Sequence, residues 1–489
     1  MLVLIQPPML KAFLKDSAIY AVPAIISRGL SLFLVPLYTR VLSPADYGSL
    51  DLFTIFASII NLTITLEVSQ GVARFYAAEQ NLDRKVLYAS SAFWFTLTCY
   101  TGFAVLMFLF TDSLAQLIMG QPDLEAAFQL GIFYIWVSGL FYLIQNQFRW
   151  ELRSKDYAII SLLMSFLTAG VSVWLAYGLR WGLEGLLIGM LVGCLVGTGV
   201  GLGRLRNRFR FRFDGALLRE MLAFSTPLVF SGIAIWISLY IDRIMIKHYL
   251  SIDEVGLYGI GYRLASIAAL VMTGFQGALT PLVYKYHCEA DTPRQLARIF
   301  RLFLVFALLA FLGLSLFALD ILRLLTTEPF YEGAVVVVYL VPAILLANMY
   351  IFAPGIGIAK KTGYLIWINV GGGLLNVGLN ALLIPLLGIV GAGLATMLGH
   401  LAVFAAYMVL SQRAYRAPHR WRPISICVAV AAVMAWCLPH LALDDAARWA
   451  ANLLALGGFS LVAVAMGLIR PVELRQSLAL IRSRLLTRA

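Results

Sequence analysis

Charge is scarce in this chain. Only 13% of its 489 residues are Asp, Glu, Lys or Arg, about half the share of a soluble domain, while 61% are hydrophobic and the mean hydropathy is +0.87. That shortage argues against a water-soluble domain and points to lipid as the solvent. Cysteine is sparse too. Cys99, Cys194, Cys288, Cys427 and Cys437 are odd in number, mostly lie in apolar runs, and show neither CxxC nor metal-ligand spacing. A disulfide framework or zinc site is therefore not expected, and buried thiols are. The five histidines, His248, His287, His400, His419 and His440, are scattered. The opening MLVLIQPPMLKAFLKD lacks a charged n-region and a cleavage site, so no cleaved signal peptide is expected.

What the chain has in quantity is apolar runs. Fourteen are long enough to cross about 30 Å of hydrocarbon, near 17–39, 48–70, 88–110, 126–146, 157–178, 183–203, 222–246, 255–280, 302–325, 333–357, 363–386, 389–411, 423–440 and 448–468. Short connections join them. With the N-terminus placed in the cytoplasm, the inside segments hold 29 Lys and Arg and the outside loops six. That bias across alternating loops is a strong positive-inside signal. The net charge of +12 is then mostly topology, and no nucleic-acid partner is expected.

A duplication organises the chain. Arg40 to Ser58 reads RVLSPADYGSLDLFTIFAS, and 208 positions on, His248 to Ser266 reads HYLSIDEVGLYGIGYRLAS. Leu42, Ser43, Gly48, Ala57 and Ser58 meet Leu250, Ser251, Gly256, Ala265 and Ser266, and Asp46 meets Glu254. A second echo, Gly182-Leu-Glu-Gly185 with Gly388-Ile-Val-Gly391, is offset by 206. Two echoes at nearly one offset imply a duplicated half of about 200 residues. The expected fold is an all-α integral membrane protein of about 14 transmembrane helices. Two parallel six-helix bundles are related by a pseudo-twofold along the membrane normal, with two appended helices. The divisions are 1–203, an N-terminal bundle; 204–221, a basic cytoplasmic linker; 222–411, a C-terminal bundle; 412–468, helices 13 and 14; and 469–489, a tail. In the tail, Leu474, Leu478, Ile481 and Leu485 share one helical face, which reads as an amphipathic helix on the anionic inner leaflet.

Arg40-Val-Leu-Ser-Pro-Ala-Asp-Tyr-Gly48, the Asp242-Arg243 pair, the turn Leu250-Ser251 to Gly256-Leu-Tyr258 and Gly388-Ile-Val-Gly391-Ala-Gly393 together resemble the bacterial polysaccharide flippases. These belong to the multidrug/oligosaccharidyl-lipid/polysaccharide exporter superfamily. The resemblance covers essentially the whole chain and rests on the order and spacing of loose motifs. It implies translocation of an undecaprenyl-pyrophosphate-linked oligosaccharide from the cytoplasmic to the periplasmic leaflet of the bacterial inner membrane. The protein would rock between inward-open and outward-open states, with both termini cytoplasmic. Lipid-linked oligosaccharide, membrane lipids and polysaccharide-assembly proteins are the implied partners. No cofactor is implied beyond a coupling ion, proton or sodium.

Few charges lie within the apolar runs. Arg28 sits near the middle of the first, where a guanidinium costs at least about 2.5 kcal/mol and must face a wet cavity or a partner. It suits a phosphate clamp, or it bonds backbone carbonyls freed by Pro23 and Pro36. Asp242 and Arg263 fall at similar depth, so they can pair, with Arg243 snorkelling to the interface. Glu67, Gln70, Gly71 and Arg74 follow an i, i+3, i+4, i+7 spacing that makes one polar helix face. Glu67 either binds a coupling ion or satisfies Arg74. Asn369, Asn376 and Asn380, with Gly372 and Gly373, suit sugar hydroxyls or helix–helix hydrogen bonds. Gly185, Gly189, Gly193, Gly197 and Gly201 form a packing stripe. The candidate substrate-binding residues are thus Arg28, Arg263, Asn369, Asn376 and Asn380, and the candidate ion-coupling or gating residues Glu67, Arg74 and Asp242.

Within transport, the alternatives are a peptidoglycan lipid-precursor flippase and a multidrug exporter, though cationic drugs favour acidic cavities. A membrane glycan polymerase or ligase would need acids and bases on sizeable outside loops. The outside loops here run to about 15 residues at most and carry no clustered Asp/Glu/His set, so neither catalytic nor metal residues are expected.

Overall fold

The computed structural model describes residues 22–23, 25–27, 29–121, 123–270, 272, 279, 283, 286, 288–359, 361, 363–441 and 444–469. Among these residues the regular structure is entirely helical. The main elements are α1 Pro44–Thr63, α2 Val68–Ala78, α3 Leu82–Leu109, α4 Glu125–Trp150, α5 Ser154–Ser172, α6 Gly182–Arg204, α7 Gly215–Tyr249, α8 Ile252–Ala265, α9 Thr292–Leu316, α10 Val337–Asn348, α11 Gly363–Leu387, α12 Ile389–Ala414, α13 Trp421–Cys437 and α14 Asp445–Ala465. Among the described residues, eleven stretches are long and apolar enough to cross a membrane, and the bent pair α1–α2 makes a twelfth. These coincide with twelve of the fourteen expected runs. About a third of each of the other two, 17–39 and 255–280, lies outside the described residues, as does the amphipathic tail after Ile469.

Two compact units emerge: residues 1–259 with 325–330, and residues 260–324 with 331–489. Their boundary falls inside α8, whereas the repeat seam was expected at 204–221. Packing divides the chain at a different place from the expected repeat. The linker itself is shorter than expected, because the Asp214 carboxylate accepts from the Ala216 and Leu217 N–H groups (2.8 and 3.1 Å). That side-chain cap satisfies two orphan donors and starts α7 at Gly215, seven residues before the apolar run. The connection 205–214 is tied down by Ser90, Ser91 and Trp94 of α3 through main-chain hydrogen bonds of 2.9–3.2 Å.

In the first unit the duplicated segment becomes a physical contact. Ser43 and Asp46 cap α1 reciprocally, each side chain accepting from the other's N–H at 3.1 Å. Their mates repeat the first half of this box, with Glu254 N–H donating to Ser251 Oγ (3.3 Å). Gly48 and Gly256, 208 positions apart, face each other. A Cβ on Gly48 would collide with the Ile252 carbonyl and lie 3.0 Å from Gly256 N. A Cβ on Gly256 would collide with the Pro44 carbonyl and lie 3.1 Å from Gly48 N. Since Ile252 is the repeat mate of Pro44, the contact is a local twofold in which each glycine admits the other's helix start. The glycine stripe of α6 also packs as expected. Side chains at Gly189 and Gly193 would strike Ser172 and Thr168 of α5.

The second unit is built on α12, which α10 and α11 flank, while α9 packs with α13 and α14. Its core includes Phe303, Leu312, Leu340, Val341 and Phe459, all buried. Of the cysteines, Cys194 and Cys427 are buried and Cys99 half-buried, but Cys288 and Cys437 are exposed. The expectation of buried thiols is corrected for those two, which lie at or beyond helix ends where the apolar pattern gives out.

Candidate functional site

Two polar centres lie within the first unit. The tighter one is built on α7. Arg243 Nε donates to Asp51 Oδ2 (3.3 Å), and its Nη1 donates to Asp242 Oδ1 and the Leu239 carbonyl (both 3.0 Å). Tyr258 Oη donates to Asp242 Oδ2 at 2.5 Å. The guanidinium also lies 5.8 Å from the Tyr240 ring and 5.2 Å from that of Tyr258, within cation–π range. Arg243 is 2% exposed and Asp242 3%. Arg243 therefore does not snorkel: two carboxylates and two rings hold it inside, and each removes part of the cost of burying the others. Asp242 has a partner on each oxygen, the arrangement of a structural knot. Asp51 was missed at the sequence level, although Gly259, its repeat mate, leaves the room it occupies: a Cβ there would lie 3.3 Å from Asp51 Oδ2. Arg263 belongs to the second unit, and its pairing with Asp242 remains an expectation.

The second centre surrounds Glu67. Between α1 and α2 the chain bends by 44°, because Leu66 and Glu67 take left-handed backbone angles, φ 49° and 52°. Two successive non-glycine residues in that region cost about 1 kcal/mol or more each. The local sequence invites the break. Ile59, Ile60, Thr63, Ile64 and Thr65 crowd the helix with β-branched side chains, and Thr63 Oγ1 donates back to the Ile59 carbonyl (2.7 Å), a bond that bends helices. Glu67 is thus the residue before α2 and not part of its face. The expected four-residue polar stripe is corrected accordingly: Gly71 is buried against Met221 of α7, and exposed Arg74 forms no ion pair with Glu67 among the described residues.

Glu67 Oε2 is buried and has no hydrogen-bond partner among the described residues. The Gln70 side chain is the carboxylate's neighbour, and Tyr100 and Tyr142 lie within electrostatic reach. Tyr100, 2% exposed, donates to Asn61 Oδ1 (2.7 Å), and Asn61 Nδ2 contacts Ser138 Oγ (3.4 Å). Gly139 makes room for the Tyr100 ring, which any side chain there would strike. A buried carboxyl with a vacant oxygen among hydroxyls and amides can hold a proton or a small monovalent cation. Among the described residues no group of three His, Cys, Asp or Glu is placed to hold a metal ion.

The remaining candidates separate. Arg28 lies outside the described residues; its neighbour Ser27 contacts Ser165 of α5 at 2.7 Å. Asn380 is fully buried and donates to the Asn376 carbonyl (2.9 Å) and Oδ1 (3.1 Å), while Asn376, 3% exposed, reaches the Ala395 carbonyl of α12 at 3.5 Å. Asn369 donates to Tyr407 Oη (3.2 Å). Both amides are buried, and the bond of Asn376 to α12 favours the helix–helix alternative there, while Asn380 bonds within α11 and its Oδ1 has no partner among the described residues. Sequence reasoning also missed Glu151, which accepts from Tyr76 Oη and Arg208 Nε, both at 2.8 Å. Asp156 beside it pairs with Arg153 (2.9 Å) and Arg204. Together they anchor the basic connection after α6.

Comparison with known proteins places this architecture. A family model described as polysaccharide biosynthesis protein matches residues 37–334. The Lsg locus protein 1 of Haemophilus influenzae is 23% identical over 286 residues, 55% of this chain; the match spans 66% of that relative's own length. Among solved structures, the lipid II flippase MurJ in an inward closed conformation superposes with a TM-score of 0.70 at 14% identity, covering 90% of this chain and 97% of MurJ. A multidrug resistance MATE family transporter of the MOP superfamily, facing inward, gives 0.65 at 16% identity over 79% of this chain and 94% of the transporter. At such identities the likeness shows the fold alone. The chain belongs to the polysaccharide biosynthesis protein family.

Proposed function

We propose that this multi-pass membrane protein moves an undecaprenyl-pyrophosphate-linked oligosaccharide from the cytoplasmic to the periplasmic leaflet of a bacterial inner membrane, by alternating access. The family match over residues 37–334 carries the reading, since polysaccharide assembly on lipid carriers needs its intermediates moved across the bilayer. The fold shared with a lipid II flippase supports a lipid-borne cargo, and it favours the peptidoglycan precursor as the second reading. The 29 to 6 distribution of basic residues supports cytoplasmic termini.

In this reading Arg28, helped by Arg263, draws the pyrophosphate inward, and the prenyl tail stays in lipid. Glu67 takes the coupling proton or sodium ion, an assignment supported by its buried, unpartnered oxygen beside a strained helix break. No covalent step is needed, because the cargo leaves chemically unchanged. The test uses the purified protein in proteoliposomes, scoring access of the glycan to an impermeant lectin. Glu67→Gln is expected to abolish the response to an imposed proton or sodium gradient and to lower driven flipping at least about tenfold, one missing ionic contact's worth. Driven flipping at the wild-type rate would remove Glu67 from the mechanism. Flipping at that rate in Arg28→Ala, Arg28→Lys and Arg28→Glu alike would remove the clamp.

A further inference from the structure

We propose that an arginine-lined pocket within the second unit binds the phosphate-bearing headgroup of an anionic membrane lipid, an inference independent of the transport reading. The first turns of α9 present Arg294, Arg298 and Arg301 at i, i+4 and i+7, one helix face. Arg420, just before α13, completes four guanidinium groups around a cavity of about 360 Å³. Arg301 is buried, and its Nη1 donates to the Gly467 carbonyl (2.9 Å), which ties the floor of the pocket to the end of α14. Gly467 takes a positive φ of 68°, and Arg420 Nη1 lies 3.5 Å from where its Cβ would stand. Asp291, mostly exposed, stands 3.5 Å from Arg294 at the rim.

The chemistry of these groups selects the ligand. Guanidinium forks match phosphate oxygens two at a time, and a cavity of this size holds a small headgroup. A free phosphate would have no use for the rest of the lining, where Ile424, Met466 and Leu468 supply an apolar wall. That wall leads onto α13, whose Trp421 and Ile426 are each 44% exposed. Tryptophan at that height is an interface anchor, and an exposed apolar helix gives acyl chains a surface to lie on. All three lining segments come from the basic ends of spans, the side where anionic headgroups concentrate in the inner leaflet.

Native mass spectrometry of the full-length protein tests this, with phosphatidylglycerol, phosphatidylcholine and inorganic pyrophosphate as separate probes. Wild type is expected to retain phosphatidylglycerol in preference to phosphatidylcholine. Arg298→Gln with Arg420→Gln is expected to weaken that binding at least about tenfold, as two lost basic contacts should. Arg206→Gln with Arg212→Gln, exposed positions in the connection after α6, should leave it unchanged. Arg420→Lys should recover part of the affinity, which shows that a folded pocket and not global damage is being read. Equal loss in both double variants would mean general attraction to a basic surface and would overturn the site. Retention of pyrophosphate with no preference between the lipids would assign the pocket to free phosphate and overturn the lipid. Unchanged phosphatidylglycerol binding in Arg298→Gln/Arg420→Gln would overturn both.

Discussion

Arg243 is held by the carboxylates of Asp51 on α1 and Asp242 on α7 and by the rings of Tyr240 on α7 and Tyr258 on α8. Its removal leaves carboxylates buried without their cation, so Arg243→Ala is expected to cost about 3–5 kcal/mol, read as a lower midpoint of thermal unfolding in detergent. Arg243→Lys should recover only part, because an ammonium lacks the fork that reaches both acids. His419 gives the pH dependence. It lies between α12 and α13 with rings of Phe300 and Trp421 at 4.9 and 5.1 Å and, among the described residues, no hydrogen-bond partner on either ring nitrogen. Burial pushes its pKa down to about 4 from an ordinary 6.5. The unfolded chain therefore binds a proton that the folded chain refuses, and stability falls as pH drops from about 6.5 toward 4. Unfolding midpoints measured across that window should show the slope in wild type and a shallower one in His419→Phe. The identity of both residues was plain in the sequence, but their surroundings were not. Asp51 and Tyr258 are 192 and 15 positions from Arg243, and only the folded chain brings them to it.

At the scale of elements, the spans were legible because lipid is an unforgiving solvent: a run of about 20 apolar residues has few other uses. The echo of Gly48 in Gly256 was legible for a related reason, since only glycine permits backbone to approach backbone. Their contact yields a double-mutant test. Gly48→Ala and Gly256→Ala should each destabilise the protein, but the pair should cost less than the sum, because the first Cβ already pushes α1 and α8 apart. Strict additivity in unfolding free energies would mean that the two positions do not share one interface. The break at Leu66–Glu67 was not legible. β-branched crowding before it weakens the helix, but whether α1 continues or bends depends on α7 packing against Gly71, a contact from 150 positions away. For the same reason the burial of Asn376 and Asn380 was not legible, and both looked available for sugar.

For the whole molecule, family and fold agree on a polytopic membrane protein with the architecture of lipid and drug transporters. The sequence carried that much through composition, loop charge and one repeated segment. It could not carry the partition into compact units at Gly259–Ile260, since that depends on which helices pack most closely. Leaflet sidedness is the direct test of the proposed flipping activity. In cells with and without this protein, lipid-linked oligosaccharide is probed from the periplasmic face with an impermeant reagent. Loss of the protein should trap the intermediate on the cytoplasmic side, with re-expression restoring access. Normal sidedness in its absence, with glycan left unextended or unligated, would contradict the flippase account and point to a role in polymer assembly.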